Sequence, residues 1–318
     1  MTLQSRLAFI GGGNMAEAIL GGLLSVGYPL SKCVVSEPLK ARCDFLHDKY
    51  PGLQILSGPT ANQEAVAGAA ASAPAEESAQ LYVSPTSSIE ELYQPAEVVI
   101  LAVKPQMLRA VVADLGPILR ERKPLVISIA AGIDTTAIAR FMADGTGVPF
   151  SELPPVIRCM PNTPSLALEG ATGLYATSDA TESQRRLAES LLGAVSKEVR
   201  WVDQEPLMDT VTALSGSGPA YFFLMMEAME DAAVKLGMDR DTARALAIQT
   251  AVGAAKMAAT SSDDLKTLRM KVTSPNGTTD AAIKSFEAQG FREVVQNAVG
   301  AAEARGRSLA AELGGAKL

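Results

Sequence analysis

The stretch Leu7-Ala-Phe-Ile-Gly-Gly-Gly-Asn-Met-Ala16 decides the class of fold, because it joins an apolar run to a glycine-rich loop and the start of a helix. Leu7–Ile10 is wholly apolar, as a strand covered on both faces should be. Gly11, Gly13 and Ala16 form the pattern G-x-G-x-x-A. In this pattern the first glycine permits a tight turn, the second lets the backbone approach a pyrophosphate, and the small third residue allows close helix packing. The stretch therefore predicts a dinucleotide-binding loop.

Two further features would complete such a site. The helix after the loop would present backbone N–H groups, from Asn14 and Met15 onward, and the positive end of its dipole to the phosphates. Glu37 follows Ser36 at the end of a second apolar run, Cys33–Ser36, where a carboxylate can accept a hydrogen bond from a ribose hydroxyl. We therefore predict that these residues contact NAD or NADP. A glycine-rich turn that binds no ligand is the alternative.

Apolar runs continue along the first half of the chain and indicate a parallel α/β sheet. They are Val98–Val103 and Leu125–Ile129, which are nearly continuous, and we predict another strand at Val156–Cys159; helical patterns alternate with the strands. In open α/β sheets, the residues after such strands face the ligand crevice. Lys104 could therefore lie near the nicotinamide or a substrate carboxylate, although a solvated lysine is the commoner alternative. Asn162 stands between two prolines, so its amide could hydrogen-bond the nicotinamide carboxamide or a neighbouring loop.

The second half of the chain has helical patterns after one more strand-like run, Val199–Val202. Thr181 and Gln184 form a capping-box sequence at the start of a helix. Ala220–Leu236 is apolar almost all round, and such a helix must be buried in a large core or against another subunit. We therefore predict a homodimer or a higher homo-oligomer.

The predicted domain division is an α/β dinucleotide-binding domain at 1–180 and a helical domain for substrate binding and dimerisation at 181–318. A segment near 57–95 interrupts the first domain. Its middle part, Ala61–Gln80, is rich in Ala, Ser and Glu and has no strand pattern, which is typical of a flexible surface insertion. The alternative is an Ala-rich helix over Gln63–Ala71.

A second loop has the composition of a small-anion site. It is Val272-Thr-Ser-Pro-Asn-Gly-Thr-Thr-Asp280, and a helical pattern follows it. Asn276 and Gly277 tolerate a positive φ, and either Thr278 or Thr279 is a natural N-cap. Hydroxyl and backbone N–H groups would then converge at a helix N-terminus, which can bind a carboxylate. A capped turn between helices, without a ligand, explains the spacing equally well.

Composition excludes several classes of protein. The net charge is −7 and no run of Lys or Arg occurs, so we expect no nucleic-acid partner. No apolar run reaches the roughly 18 residues of a membrane span, so we expect no membrane association. Cys33, Cys43 and Cys159 lack any CxxC spacing and indicate free thiols in a reducing, cytoplasmic location. Cys33, Cys43 and His47 could supply three ligands to a metal ion, but a fourth ligand is missing, so we expect no metal site.

Six ordered motifs make the chain resemble the 1-pyrroline-5-carboxylate reductases. The resemblance runs from Leu7 to about Leu309 and omits the segment near 57–95. The motifs are Phe9-Ile-Gly-Gly-Gly-Asn-Met-Ala16, Ala102-Val-Lys-Pro105, Ser128-Ile-Ala-Ala-Gly132, Arg158-Cys-Met-Pro-Asn-Thr-Pro164, Leu214-Ser-Gly-Ser-Gly-Pro-Ala-Tyr221 and Val272-Thr-Ser-Pro-Asn-Gly-Thr-Thr279. The last of these matches the signature region of the family.

The resemblance implies an N-terminal Rossmann-type domain, a C-terminal helical domain that interlocks with a partner subunit, and dimers that often assemble into decamers. It implies that the signature loop binds the carboxylate and ring nitrogen of pyrroline-5-carboxylate, with Ser274 and Thr279 in the catalytic roles and Asn276, Gly277 and Thr278 binding substrate. The cofactor contacts that it implies at the nicotinamide end are Ala102, Val103, Lys104, Pro105, Ala130 and Asn162.

Two departures from the family pattern bear on these expectations. The signature loop usually has two glycines, and Asn276 replaces the first, a change that the tolerance of Asn for positive φ can absorb. Many members also have an Asn before the helix that leads to the Ala102-Val-Lys-Pro105 strand, where this chain has Ser88-Ile89. Contacts at the adenosine end are therefore less well defined by the resemblance.

The reaction implied is the reduction of pyrroline-5-carboxylate to proline by hydride transfer from NADH or NADPH to the C=N carbon. A hydroxyl is a weak acid at neutral pH, so Thr279 is expected to orient and polarise the imine while solvent supplies the proton. Two other functions compete with this one. A β-hydroxyacid dehydrogenase would carry a catalytic Lys and an Asn where Phe222 and Met226 stand. A non-catalytic nucleotide-binding dimer would lack the Ser274–Thr279 loop.

Overall fold

The computed structural model describes residues 5–68, 94–144 and 148–314, together with the backbone of 80–82. The strands of these residues are β1 (Leu7–Ile10), β2 (Cys33–Ser36), β3 (Gln54–Ser57), β4 (Gln80–Tyr82), β5 (Val98–Leu101), β6 (Leu125–Ser128), β7 (Val156–Met160), β8 (Gly170–Ala176) and β9 (Ser196–Trp201). The helices are α1 (Asn14–Ser25), α2 (Lys40–Lys49), α3 (Ala61–Ala67), α4 (Pro105–Arg122), α5 (Thr135–Ala143), α6 (Glu182–Gly193), α7 (Leu207–Val211), α8 (Gly218–Lys235), α9 (Arg240–Thr260), α10 (Leu265–Lys271), α11 (Thr278–Ala288) and α12 (Phe291–Gly314).

The described strands form one sheet in the order β4-β3-β2-β1-β5-β6-β7-β8-β9. The six strands from β3 to β7 in this order are parallel to one another. Strand order reverses between β1 and β5, as in the dinucleotide-binding α/β folds. The predicted Rossmann-type domain is therefore confirmed.

Helices cover both faces of the sheet because its central strands β1 and β5 are apolar at every position. Along β1, Leu7 and Phe9 join one core cluster, whereas Ala8 and Ile10 join the other. Side chains of a strand alternate between its faces, so each cluster lies on one side of the sheet. Helices α1, α2 and α6 contribute to the first cluster, and α3, α4 and α5 to the second. This double cover explains the continuous apolar runs in the sequence.

The segment predicted as an insertion is partly built into this domain. Ala61–Ala67 forms helix α3, and Ala61, Ala65 and Val66 are buried in the second core cluster. The expectation of a flexible surface loop is therefore wrong for these seven residues, because the helix packs its small apolar side onto the sheet. Strand β4 pairs with β3 in antiparallel fashion. Residues 69–79 and 83–93 lie outside the described residues.

The chain forms two compact units, Met1–Gly216 with Glu303–Leu318, and Ser217–Ala302. The boundary predicted after residue 180 falls inside the first unit. The reason is that β8 pairs antiparallel with β7 and parallel with β9, so the sheet continues to Trp201. The capping box predicted at Thr181 and Gln184 is confirmed at the start of α6, the helix that connects β8 to β9.

The second unit is entirely helical in its described residues, from α8 to the first part of α12. Its longest helices place large apolar side chains on the surface: Phe222, Phe223 and Leu224 of α8 are each about two-thirds exposed. Ala243 and Ala247 of α9 are its buried hydrophobic residues. Among the helices of the described chain, none has both the length and the hydropathy needed to cross a membrane.

Candidate functional site

The glycine loop lies where the strand order of the sheet reverses, at the carboxyl end of β1. Gly11 has φ of +100°, and a Cβ atom there would lie 2.9 Å from the carbonyl oxygen of Ala102. Its N–H donates to the Ser36 carbonyl oxygen at 2.8 Å, and the Ala102 N–H donates to the Ile10 carbonyl oxygen at 2.9 Å. The first glycine of the motif is therefore required by both its φ and the close approach of β5.

The next residues leave space and hydrogen-bond donors at the start of α1. Gly13 is the N-cap of this helix, and no atom lies within 4 Å of the Cβ that a larger residue would have. Gly13 and Asn14 are exposed and Met15 is half-buried, whereas Ala16 is buried against the sheet. The first backbone N–H groups of a helix have no partner within the helix. The loop can therefore receive a phosphate group, with the small Ala16 permitting close packing behind it.

Glu37 is buried just behind the loop. The Gly12 N–H donates to Glu37 Oε2 at 2.8 Å, and the Leu39 N–H donates to Oε1 at 2.9 Å. A carboxylate can accept about four hydrogen bonds, so capacity remains for a ribose hydroxyl. The structure thus gives Glu37 a second task that the sequence did not indicate, which is to hold the glycine loop.

Asn62 is a polar residue of this region that the sequence analysis missed. The Ser36 hydroxyl donates to Asn62 Oδ1 at 2.7 Å, and Asn62 lies in the first turn of α3. The Asn sought from the family pattern was placed at Ser88-Ile89, which lie outside the described residues. The signal that could have found Asn62 is its position after the β3 run Gln54–Ser57, since residues that follow parallel strands reach the crevice.

The edge of the sheet brings the other predicted cofactor residues beside the loop. Leu101 pairs with Ile10 on one side and Ser128 on the other, so the residues after β1, β5 and β6 are neighbours. Lys104 is the exposed N-cap residue of α4, and Pro105 is its first helical residue. Val103 lies against Gly11, and Ala130 is buried after β6.

Asn162 differs from this group because its amide is used within the protein. Its Nδ2 donates to the Ser215 carbonyl oxygen at 3.0 Å, and its Oδ1 accepts from the Ala171 N–H at 2.9 Å. Ser215 belongs to a π-helical turn, Thr212–Gly216, that follows α7. Of the two alternatives from the sequence, the described bonds correspond to the neighbouring loop.

A buried arginine, which the sequence analysis did not single out, stabilises the approach to this turn. Arg158 of β7 pairs with Asp209 of α7 at 3.2 Å and with Glu205 at 3.6 Å. Glu205 also accepts hydrogen bonds from the N–H and hydroxyl of Thr135 at the start of α5. These contacts fix α7, and with it the π-helical turn that Asn162 holds, against the sheet.

In the second unit, the signature loop forms a tight turn before α11. Asn276 has φ of +58°, the left-handed conformation that Asn tolerates. The Gly277 N–H donates to the Ser274 carbonyl oxygen at 3.0 Å, and the Asn276 N–H donates to the Asp280 carboxylate at 3.0 Å. The Lys284 ammonium and the Asn276 N–H hold the pKa of Asp280 below its usual value, so Asp280 remains an acceptor for this bond.

The N-cap of α11 is Gly277, so the expectation that Thr278 or Thr279 caps this helix is wrong. The turn ends one or two residues earlier than expected because Asn276 supplies the positive φ. Both threonines occupy the first two helical positions and are exposed, as is Ser274. Among the described residues, neither threonine hydroxyl has a hydrogen-bond partner. Their hydroxyls and helix-start N–H groups are therefore available to a ligand.

The three thiols have no place in these sites. Cys33, Cys43 and Cys159 are free and buried. Burial raises the pKa of Cys33 to about 12 and raises those of Cys43 and Cys159 as well, so all three remain protonated near neutral pH. Within the described ranges, no group of three His, Cys, Asp or Glu side chains could hold a metal ion.

A Rossmann-type sheet with an open, glycine-lined loop at its switch point defines a nicotinamide-dinucleotide-dependent oxidoreductase. Two family models match the chain: NADP oxidoreductase, coenzyme F420-dependent, over residues 6–132, and pyrroline-5-carboxylate reductase dimerisation over residues 205–309. The chain belongs to the pyrroline-5-carboxylate reductase family.

Relatives of similar length support this assignment. The pyrroline-5-carboxylate reductase of Pseudomonas aeruginosa is 44% identical over 97% of this chain and 98% of its own length. That of Haemophilus influenzae is 40% identical over 95% and 97%. The solved structure of the Coxiella burnetii reductase has a TM-score of 0.77 at 37% identity and covers 96% of this chain and 98% of its own.

Proposed function

We propose that the protein reduces 1-pyrroline-5-carboxylate to L-proline with NADH or NADPH, the last step of proline biosynthesis. The observation that carries the proposal is the 44% identity to a pyrroline-5-carboxylate reductase over nearly the whole chain. The exposed Ser274–Thr279 loop supports it, because this loop offers the donors that a cyclic imino acid requires.

The dinucleotide site is assigned to the first unit. The N–H groups from Gly13 to Met15 would bind the pyrophosphate, with Gly13 leaving space for its approach and Gly11 and Ala16 allowing the tight turn and the close helix packing behind it. The adenosine ribose would lie between Ser36, Glu37 and Asn62. The nicotinamide would lie along Ala102, Val103, Lys104, Pro105 and Ala130, with Asn162 holding the adjoining turn in place. The bound dinucleotide supplies the hydride.

The substrate site is assigned to the signature loop of the second unit. The backbone N–H groups of Thr278 and Thr279 start helix α11 and would bind the substrate carboxylate, with the Ser274 hydroxyl beside them. The Thr279 hydroxyl would donate to the ring nitrogen and hold the imine in position. Asn276 and Gly277 give the turn its conformation.

The proton that the ring nitrogen gains is assigned to solvent. A hydroxyl such as that of Thr279 has a pKa far above neutral, so it polarises and orients the nitrogen better than it protonates it. The only histidine, His47, belongs to α2 in the first unit and has no assigned part in the reaction.

Assembly and location follow from the same family assignment. A homodimer would cover the exposed apolar side chains of α8, and association of dimers into a decamer is the larger form proposed. The free, buried thiols support a reducing, cytoplasmic location. The proposed activity is tested by mixing the purified protein with pyrroline-5-carboxylate and either dinucleotide, and following the loss of reduced nicotinamide.

A further inference from the structure

Arg42 of helix α2 directs its guanidinium at the glycine loop. Its Nε donates to the Gly12 carbonyl oxygen at 2.5 Å, and its Nη2 donates to Glu17 Oε2 at 2.6 Å. The guanidinium carbon also lies 4.6 Å from the centre of the Phe45 ring. The flat guanidinium places two nitrogens at fixed positions for these bonds while its face packs on the ring, whereas a lysine has a single nitrogen and no flat face.

The bond to Gly12 has a geometric consequence for its neighbour. The peptide unit between Gly12 and Gly13 is planar and trans, so its carbonyl and its N–H point in opposite directions. A donor that holds the Gly12 carbonyl therefore also sets the direction of the Gly13 N–H, away from Arg42. Gly13 is exposed, with open space where a side chain would begin.

Gly12 is held on both sides by side chains. Its N–H donates to Glu37 Oε2, while its carbonyl accepts from Arg42. Three consecutive glycines have more backbone freedom than any other residues, and ordering them costs the most entropy. The hydrogen bonds from Glu37 and Arg42 order Gly12 before a ligand binds, so less entropy is lost on binding.

The second hydrogen bond of Arg42, to Glu17, affects the charge beside the glycine loop. Glu17 lies in the first turn of α1, where a carboxylate would repel a bound phosphate. It is paired with Arg42 at 2.6 Å and with Lys49 at 2.5 Å. Burial raises the pKa of Glu17, but the hydrogen bonds from Lys49 and Arg42 outweigh burial and leave the pKa below its ordinary value. Glu17 is therefore an anion at neutral pH, neutralised by these two cations.

We propose that Arg42 is a positioning residue for the dinucleotide, which orients the Gly12–Gly13 peptide so that its N–H faces the pyrophosphate. The proposal rests on the proposed function of the glycine loop as the dinucleotide site. Arg42 acts through its bond to the Gly12 carbonyl, and its contribution to charge at Glu17 is secondary because Lys49 pairs with the same carboxylate.

Lys49 provides the matched control. Arg42→Met removes both the bond to Gly12 and one cation at Glu17, whereas Lys49→Met removes one cation at Glu17 and leaves Gly12 held. By calorimetric titration with NADH, we expect Arg42→Met to raise Kd about tenfold or more, as for a lost charge-assisted hydrogen bond. Lys49→Met should change Kd less than about threefold, since the Lys49 side chain is half exposed and Arg42 still pairs with the buried Glu17 carboxylate. Arg42→Lys should bind more weakly than the wild type, because the single nitrogen of lysine cannot occupy both the Nε position at Gly12 and the Nη2 position at Glu17.

A second readout needs no dinucleotide. In the free protein, amide hydrogen exchange of a peptide that covers Gly11–Ala16 should become faster in Arg42→Met and stay unchanged in Lys49→Met. A role of Arg42 in stability alone would lower Tm and leave the Kd of the folded protein unchanged.

The outcomes distinguish a failure of the proposed function from a failure of the proposed role of Arg42. A wild-type protein that fails to bind NADH and NADPH would overturn the proposed function. If the wild type binds NADH, equal Kd values for Arg42→Met and the wild type would overturn the role of Arg42 alone. Equal losses in the Arg42 and Lys49 variants would overturn the role of the Gly12 bond. Should Arg42→Met fail to fold, wild-type affinity and exchange in Arg42→Lys would overturn it instead.

Discussion

Thr279 occupies the second position of helix α11 with an exposed hydroxyl, after Gly277 has taken the N-cap. A threonine at the N-cap would stabilise the helix through its hydroxyl, so its substitution would affect stability and activity together. Because Gly277 is the N-cap, the Thr279 hydroxyl does not cap the helix, and its effect on activity can be measured apart from helix stability. Any loss of activity on removing this hydroxyl can therefore be attributed to contact with the substrate.

We predict that Thr279→Val lowers kcat/KM for pyrroline-5-carboxylate by about ten- to a hundredfold, as expected for a lost hydrogen bond worth about 1.5–3 kcal/mol. Tm and the Kd for the dinucleotide should stay unchanged, because the Thr279 hydroxyl bonds to no described residue and the dinucleotide loop is assigned to the other unit. Thr279→Ser should restore most of the activity. Full activity in folded Thr279→Val would contradict the assignment.

The surroundings of Glu37 bear on the choice of cofactor. A carboxylate at the ribose repels a 2′-phosphate and accepts from a 2′-hydroxyl. The cations that could receive a phosphate have protein partners: Lys40 pairs with Asp44 at 2.8 Å, and Arg42 bonds to Glu17 and Gly12. We predict that kcat/KM with NADH is at least as high as with NADPH. A strong preference for NADPH that persists in Glu37→Gln would show that Glu37 does not select the cofactor.

At the scale of elements, helix α3 is the part of the sheet domain for which the amino-acid composition favoured a flexible loop. It carries Val66, which is fully buried in the core cluster shared with α4 and α5. We predict that Val66→Ala lowers the free energy of unfolding by about 2 kcal/mol, measured by chemical denaturation, because it leaves a cavity in the core. Val26→Ala, at a position 64% exposed, is the control and should change stability by less than about 0.5 kcal/mol. Equal, small effects would mean that α3 does not pack on the sheet.

The central strands β1 and β5 could be predicted from the sequence because each is an unbroken apolar run. Helix α3 was only the alternative to a flexible loop, as a helix over Gln63–Ala71, because its apolar face consists of Ala61, Ala65 and Val66 among polar residues. Strand β8 was hidden because Gly170, Thr172 and Gly173 interrupt its apolar residues, whereas the run Val199–Val202 indicated β9 but not that it joins the same sheet. A weak apolar signal therefore placed the domain boundary too early.

The candidate site also has parts that could be predicted from the sequence and parts that could not. The loops could be predicted because their Gly, Pro and Asn residues are close in sequence. Their partners could not: Glu37 and Arg42 are 25 and 30 residues from Gly12, and only the fold brings them together. Asn162 had two possible partners in sequence, and the fold pairs it with Ser215, 53 residues away.

For the whole molecule, the exposed apolar surface of the second unit indicates assembly. Phe222, Phe223 and Leu224 of α8 are 68%, 64% and 65% exposed, and Val252 and Met257 of α9 are more than half exposed. Such a surface marks a protein interface. We predict at least a dimer by light scattering at micromolar concentration. Phe223→Ser should weaken the assembly, and Val26→Ser in the first unit should not. A folded, active wild-type monomer would contradict this prediction.

The most direct measurement is the amount of L-proline formed against the amount of NADH or NADPH oxidised when the purified protein acts on pyrroline-5-carboxylate. A reductase should form one proline for each dinucleotide oxidised, with no oxidation when the imine is omitted and none when a β-oxo acid, the hydride acceptor of a β-hydroxyacid dehydrogenase, replaces it. Binding of NADH or NADPH without formation of proline would contradict the central claim, and would favour a nucleotide-binding dimer without catalytic activity.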